Sequence, residues 1–425
     1  SNRNNVVIGK DTRLSGYMLE SALTSGLVSM GMNVLLVGPI TTPAVAHLTR
    51  SMGAVAGIML TASHNPYTDN GIKIFGHDGF KLPDEMELEI EKHILSGELN
   101  SDSIPHSQIG KAFRIDDARG RYIEFAKSSI HNHSLKGLKI VLDCANGAAY
   151  SMAPLIFQEL GAEVIVTAAT PDGHNINDGC GATYSRYAAA LVKEHKADLS
   201  ISLDGDADRL GIIDEKGNFI HPNEVLILLY YYLLEYKGWK GSVVRNIATT
   251  HLLDTVAADH GEKSFEVPVG FKHISSQMEA DDSLIGGESS GGLTIRGHIK
   301  GKDGVFASSL LVEMISVTGK KLSELLDEIY SKYGYAYTAE GDCKFKPSEK
   351  EALYTKIYVE KQLPEFEYEI EKVSYEDGAK VYFKNGGWVI ARFSGTEPLL
   401  RIFAEMEDKD TAEHVLQKVK DFLSL

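Results

Sequence analysis

Asp204, Asp206 and Asp208 stand at alternate positions of DGDADR, directly after the apolar run ADLSISL. Carboxylates at i, i+2 and i+4 in one turn form a compact set of hard oxygen ligands suited to Mg²⁺, with positions left over for a phosphate oxygen and water. An EF-hand shares the spacing, and Glu215 would be its closing glutamate. Its sharp turn needs glycine where Arg209 stands, however, and its flanks must be helices where ISL and GIIDEKGNFI read as strands. In TASHNP, Ser63 sits in a polar turn after AVAGIML. A serine hydroxyl is a weak nucleophile unless a base, a metal or a charged neighbour activates it, and His64 and Lys73 are close enough in sequence to share the site. Neither G-x-S-x-G nor S-x-x-K surrounds Ser63, so phosphoryl transfer is better supported than acyl transfer or hydrolysis. RFSGT, from Arg392 to Thr396, followed by Arg401, combines guanidinium forks, hydroxyls and glycine-opened backbone N–H groups, which is the equipment of a phosphate site. GESSGG, from Gly287, adds a carboxylate and hydroxyls suited to the hydroxyls of a sugar.

Three of the four loops have matched positions. Three segments repeat one plan of β-branched run, turn, helical stretch and second apolar run, beginning at Asn5, Leu138 and Gly241. A further apolar run after each ends in TASHNP, DGDADR or GESSGG. Strand, helix, strand in this order predicts largely parallel α/β sheets, where ligands gather beyond the carboxyl ends of the strands. From about Glu340 the pattern changes to a small α+β domain that closes with the amphipathic helix TAEHVLQKVKDFL, and RFSGTEP lies between its two best strands.

Bulk properties narrow the function classes. A formal charge of -16 with both signs interspersed argues against nucleic acid as the main partner and leaves room for a small anionic substrate in a local basic pocket. Cys144, Cys180 and Cys343 lack paired spacing for zinc or a disulfide framework, which fits a reducing, cytoplasmic setting. No apolar run reaches membrane-spanning length and the start is polar, so neither a membrane nor a signal peptide is expected. G-x-x-x-x-G-K-[ST] and G-x-G-x-x-G are both absent, so nucleotide binding has no support.

TASHNP, DGDADR, GESSGG and RFSGTEP in this order resemble the active-site loops of the α-D-phosphohexomutase superfamily, over essentially the whole chain. The resemblance implies three similar mixed α/β domains plus a smaller C-terminal α+β domain around a central cleft. The corresponding parts are 1–133 for phosphoserine, 134–237 for metal, 238–339 for sugar and 340–425 for phosphate. It implies that Ser63 is the phosphoserine and that Asp204, Asp206 and Asp208 bind Mg²⁺ together with the Ser63 phosphate. Glu288 and Ser290 match the sugar contacts, and Arg392, Ser394, Gly395, Thr396 and Arg401 the loop for the non-reacting phosphate. Arg13, Lys73, Arg209 and Lys272 fall where the family keeps basic site residues, with Lys73 and Arg13 as its proton-handling pair. The expected activity is interconversion of hexose 1- and 6-phosphates of glucose or mannose, activated by a hexose 1,6-bisphosphate, by a monomer or homodimer. A phosphoglucosamine mutase, a non-catalytic phosphosugar-binding protein and a magnesium-dependent phosphatase are the alternatives.

Two departures bear on these expectations. The family opens with a strand and a Gly-x-Arg-Gly-type loop before GKDTR, and a missing N-terminal piece is expected here, since a first domain without its edge strand would expose a sheet edge. Gly292 stands where several relatives carry histidine, which leans towards glucose and mannose; His298 is nearby, though a lone histidine is more often structural.

Overall fold

The computed structural model describes residues 4–97, 104–131, 133–394 and 398–424. It divides into two compact units, one of residues 1–238 and 285–325, the other of residues 239–284 and 326–425.

In the first unit the chain runs β1 (Asn5–Lys10), α1 (Ser15–Ser29), β2 (Asn33–Pro39), α2 (Thr42–Ser51), β3 (Ala56–Leu60) and β4 (Ile72–Gly76). Next come α3 (Asp84–Ser96), β5 (Ala112–Arg114) and α4 (Ala118–Ser129). The first sheet has the order β4-β3-β1-β2-β5, parallel except where β4 runs antiparallel to β3. The second repeats the plan with β6 (Lys139–Asp143), α5 (Ala153–Glu159), β7 (Glu163–Thr167), α6 (Ala188–His195), β8 (Leu199–Leu203), β9 (Leu210–Asp214) and β10 (Phe219–Ile220), followed by α7 (Pro222–Tyr231). Its order is β10-β9-β8-β6-β7, parallel from β8 to β7 and antiparallel from β8 to β10. The interior strands β1 and β6 are buried on both faces, in keeping with their runs of Val, Ile and Leu.

The third repeat contributes β11 (Val243–Asn246), α8 (Leu252–Asp259), β12 (Ser264–Val267) and α9 (Phe271–Asp281) to the second unit, with β11 and β12 parallel. Its antiparallel pair, β13 (Ile285–Gly287) and β14 (Leu293–Ile295), belongs to the first unit, as does α10 (Gly304–Thr318). After α11 (Leu322–Tyr333), the C-terminal part of the second unit is an antiparallel sheet. It is built from β15 (Tyr337–Lys344), β16 (Ile370–Ser374), β17 (Ala379–Phe383), β18 (Trp388–Phe393) and β19 (Leu399–Met406). Their order is β15-β19-β18-β17-β16. The amphipathic α12 (Lys409–Leu423) buries Val415, Leu416, Val419 and Leu423 against it. The α/β repeats and the α+β ending are those expected. Among the described residues, no helix is long and apolar enough to cross a membrane.

Each of the four polar loops connects an antiparallel strand pair: 61–71 joins β3 to β4, 204–209 joins β8 to β9, 288–292 joins β13 to β14, and 394–398 joins β18 to β19. DGDADR therefore lies between two strands, as its flanks predict and as an EF-hand could not.

A ladder of rings ties α2, α4 and α10 of the first unit together. His47 stacks on Phe125 at 3.9 Å, Phe125 on His298 at 4.8 Å, and His298 on Phe306 at 3.9 Å. His298 is structural, its Nε2 being 2.8 Å from Asp303 and its Nδ1 3.2 Å from the Ser129 hydroxyl. His47 has a buried Nδ1 without a partner, and burial, helped by Arg50, pulls its pKa down to about 4. Above pH 6.5 neither folded nor unfolded chain holds this proton. As the pH falls towards 4 only the unfolded chain takes it up, so stability is lost. His47→Phe keeps the stack and removes the proton site, so its melting temperature is expected to fall less between pH 7 and 5 than that of the wild type. Parallel pH–melting curves check this.

Candidate active site

Ser63 reaches the second sheet from the first. Its φ is +51°, in the left-handed region that non-glycine residues avoid at a cost on the order of 1–2 kcal/mol. The Thr61 Oγ1 accepts from the Ser63 N–H at 2.9 Å, and the buried Arg13 guanidinium donates to the carbonyls of Ser63 (3.2 Å) and Asn65 (2.5 Å) while pairing with Asp11. Burial raises the pKa of Asp11 despite that pairing. So held, the Ser63 hydroxyl donates to Asp204 Oδ2 at 2.6 Å.

The three aspartates are buried, and one carboxylate oxygen from each lies within 4.8 Å of the others. Asp204 Oδ1 accepts from the Arg209 N–H at 3.1 Å. Asp206 Oδ2 accepts from the Thr42 hydroxyl and from Lys73 Nζ at 2.5 Å. Asp208 Oδ2 is 3.3 Å from both Lys73 and Lys302. The Oδ1 atoms of Asp206 and Asp208 are buried and have no hydrogen-bond partner. Buried carboxylate oxygens without hydrogen bonds are costly unless a cation meets them; Arg209 Nε faces Asp208 Oδ1 at 3.8 Å, and the donor set as a whole fits a hard divalent ion such as Mg²⁺. Burial and then the neighbouring carboxylates push the pKa of Asp204 up. Burial acts the same way on Asp208, but Lys302, Lys73 and Arg209 outweigh it and hold that carboxyl low. Lys73 resists the downward pull of its own burial because Asp206 and Asp208 favour its charge. His64, pulled down by burial and by Arg209, lies with Nδ1 3.2 Å from Arg209 Nη1.

Of the residues singled out in the sequence, the first unit brings together Ser63, His64, Lys73, Arg13, Asp204, Asp206, Asp208 and Arg209. Glu288 and Ser290 lie in the β13–β14 loop of the same unit, where the Glu288 N–H donates to the Gly292 carbonyl and Ser290 is exposed. Glu288 also acts electrostatically on Arg209. Lys272, Arg392, Ser394 and Arg401 belong to the second unit. Lys272 is exposed in the first turn of α9. Arg392 and Arg401 are direct cross-strand partners on β18 and β19, with Arg392 Nε 2.9 Å from Asp377 and Arg401 Nε 3.7 Å from Asp342. Each guanidinium has an aspartate beside it, and two such planar forks on neighbouring strands are of the kind that binds phosphate. The Ser394 N–H donates to the Leu399 carbonyl, and Gly395 and Thr396 lie outside the described residues.

Lys302 was not singled out from the sequence. It arrives from the turn before α10, which Asp303 caps by accepting from the Phe306 N–H at 3.0 Å, and its stem crosses Gly292 so closely that a Cβ there would stand 2.1 Å from Lys302 Cδ. The sequence signal was Lys-Asp-Gly opening an apolar helix. Any side chain at Gly292 would have to move the Lys302 stem aside.

Profiles of Phosphoglucomutase/phosphomannomutase match the whole organisation. Alpha/beta/alpha domain I matches residues 1–101, domain II 120–217, domain III 221–333 and the C-terminal domain 345–422. A phosphoglucosamine mutase of Geotalea daltonii is 43% identical over 410 residues, covering 96% of this chain and 86% of the relative. One of Paracoccus denitrificans is 42% identical over 424 residues, covering 97% and 88%. Among solved structures, a phosphoglucomutase/phosphomannomutase family protein from Burkholderia thailandensis superposes with a TM-score of 0.82 at 23% identity, over 99% of this chain and 89% of that one. The N-acetylphosphoglucosamine mutase of Aspergillus fumigatus, in complex with GlcNAc-6P and magnesium, does so with a TM-score of 0.60 at 15% identity, over 99% and 82%. At these identities the two structures speak for the fold.

Proposed function

The chain belongs to the α-D-phosphohexomutase superfamily, and we propose that it interconverts glucosamine 1- and 6-phosphates through a phosphoryl group carried on Ser63. The observation that supports the chemistry is the Ser63 hydroxyl, 2.6 Å from Asp204 in a carboxylate triad with two buried oxygens that no hydrogen bond satisfies. The preference for glucosamine over glucose or mannose follows the relatives, which are phosphoglucosamine mutases at 43% and 42% identity. They weigh against the lean towards glucose and mannose drawn from Gly292.

In this reading Asp204 orients Ser63 Oγ, and Lys73, Lys302 and Arg209 surround the place where the phosphoryl charge develops. Magnesium on Asp204, Asp206 and Asp208 would draw further charge from the transferring group. Lys73, whose charge Asp206 and Asp208 favour, serves as the proton donor to the departing oxygen. Glu288 and Ser290 hold the sugar hydroxyls, while Arg392, Ser394, Gly395, Thr396, Arg401 and Lys272 hold the phosphate that is not being transferred. Isomerisation rates on the 1-phosphates of glucosamine, glucose and mannose, run side by side, test the reading. The glucosamine ester should turn over fastest, and a faster glucose or mannose ester would overturn the assignment of the sugar.

Two variants probe the separate parts. Asp206→Asn removes one of three anionic oxygens and should weaken Mg²⁺ binding by roughly tenfold or more, with activity falling alongside. Calorimetric titration of Mg²⁺ checks this, and an unchanged affinity would move the metal elsewhere. Arg392→Ala should raise KM by roughly tenfold with kcat much less affected, because the distal phosphate is held equally in ground and transition states. Steady-state kinetics decide, an unchanged KM speaking against a phosphate on the Arg392–Arg401 pair.

A further inference from the structure

We infer that Asn177 is a positioning residue for the nucleophile, an amide clamp that fixes the backbone of Ser63 to the sheet that carries the acidic triad. This rests on the reading of Ser63 as the phosphoryl carrier. The Asn177 Nδ2 group donates to the Ser63 carbonyl at 2.9 Å and to the Asn65 carbonyl at 3.0 Å. Two carbonyl oxygens face the same end of the side chain, which sets its orientation: an amide oxygen there would meet two acceptors with nothing to donate.

The clamp is itself anchored. Asn177 lies between β7 and α6, where its own N–H donates to the Ala145 carbonyl at 2.9 Å. Further along the same loop the Gly181 N–H donates to Asp143 Oδ2 at 2.6 Å. Asp143 ends β6, which pairs in parallel with β8, the strand that delivers Asp204. The second sheet therefore holds the serine twice, through Oγ on Asp204 and through the backbone on Asn177. Gly205 completes the bracket, since a Cβ there would stand 2.5 Å from the Ser63 carbonyl and 2.9 Å from Asn177 Nδ2. With the amide removed, only Arg13 from the serine's own sheet would hold these carbonyls, and the left-handed Ser63 would lose its backbone tie to the triad.

The consequence falls on transfer. Phosphorylation of Ser63 by a hexose 1,6-bisphosphate forms the Oγ–P bond, breaks the donor's P–O bond and leaves the serine proton on the departing sugar oxygen. It needs Oγ in line with the phosphorus, and an error on the order of 1 Å costs roughly 100-fold. The Asn177 amide already spends its donors on these two carbonyls, so kcat should fall and KM stay close to its wild-type value.

Asn177 has φ +59°, so alanine there would add backbone strain to the loss of the amide. Asn177→Asp is isosteric, tolerates the left-handed backbone and replaces the donor by an acceptor. Asn177→Gly keeps the backbone and deletes the side chain. In the full chain with Mg²⁺, the rate of Ser63 phosphorylation by glucosamine 1,6-bisphosphate, read by intact-protein mass spectrometry, should fall roughly 10- to 100-fold in both variants. Their melting temperatures should stay near the wild type and their KM within about threefold. Wild-type phosphorylation matched by either folded variant would overturn the clamp and leave the Ser63 reading standing. A fall in KM-dependent binding or melting temperature alone, with the phosphorylation rate kept, would overturn it too. Failure of the wild type itself to become phosphorylated at Ser63 would remove both.

Discussion

Replacing Ser63 by alanine is expected to lower kcat by roughly 10⁴-fold or more while the chain still folds. The side chain makes one hydrogen bond, to Asp204, whereas the bonds that shape its loop come from the backbone: the N–H to Thr61, and the carbonyl to Arg13 and Asn177. Alanine keeps all of the latter and only the nucleophile is lost. No neighbouring hydroxyl takes its place. Thr61 Oγ1 accepts from the Ser63 N–H and Thr42 Oγ1 donates to Asp206, so both are turned to other partners. Losing the hydroxyl also removes the donor on Asp204 Oδ2, so Mg²⁺ affinity should match that of the dephosphorylated wild type and fall only relative to the phosphorylated form, whose Ser63 phosphate would complete the site. The measurements are isomerisation kinetics, Mg²⁺ titration and melting temperature on one preparation. Turnover within tenfold of the wild type in a folded Ser63→Ala protein would remove Ser63 as carrier.

What the sequence made legible was local. The three aspartates lie close together because alternate positions of one tight turn after a buried strand can hardly do otherwise. The repeat of apolar runs was enough to place TASHNP, DGDADR and GESSGG at matching strand ends, and RFSGTEP was legible between the two best strands of the C-terminal part; each is a connection between antiparallel strands. What stayed hidden was long-range. Asn177 lies 114 residues from Ser63 along the chain, in an Asn- and Gly-rich loop whose composition reads only as turn. Lys302 could be recognised only once Asp303 was seen capping α10 and Gly292 clearing its path. Arg13 was legible as a basic residue near the site, but not as one buried to 0% exposure, with its guanidinium on Asp11 and two carbonyls. A sequence gives charge and spacing, and only packing decides whether a cation faces substrate or backbone.

Enzyme freed of phosphate at Ser63 should be inactive on a hexosamine 1-phosphate alone, and a trace of the corresponding 1,6-bisphosphate should restore turnover. A phosphate on O6 reaches O1 of the same ring poorly, so transfer within one molecule is disfavoured and a lent phosphoryl group is the simpler route. If Ser63 lends it, the unphosphorylated protein has nothing to donate. The bisphosphate passes one group to Ser63, leaves as a monophosphate, and each later cycle ends with Ser63 phosphorylated again. Activation should therefore exceed the bisphosphate supplied by many turnovers per molecule, a ratio that a stoichiometric reagent cannot give. The surroundings fit a group that comes and goes: Lys73, Lys302 and Arg209 bring three positive charges to the edge of the triad. Without a phosphoryl group they are engaged by Asp206 and Asp208. With one on Ser63, the same cations have a second anion to meet, so the phosphorylated form should gain in melting temperature over the dephosphorylated one. The decisive comparison is isomerisation by verified dephospho-protein with and without bisphosphate. Equal, rapid rates in both arms would rule out the phosphoserine cycle, and release of inorganic phosphate without isomer would mark the protein as a phosphatase.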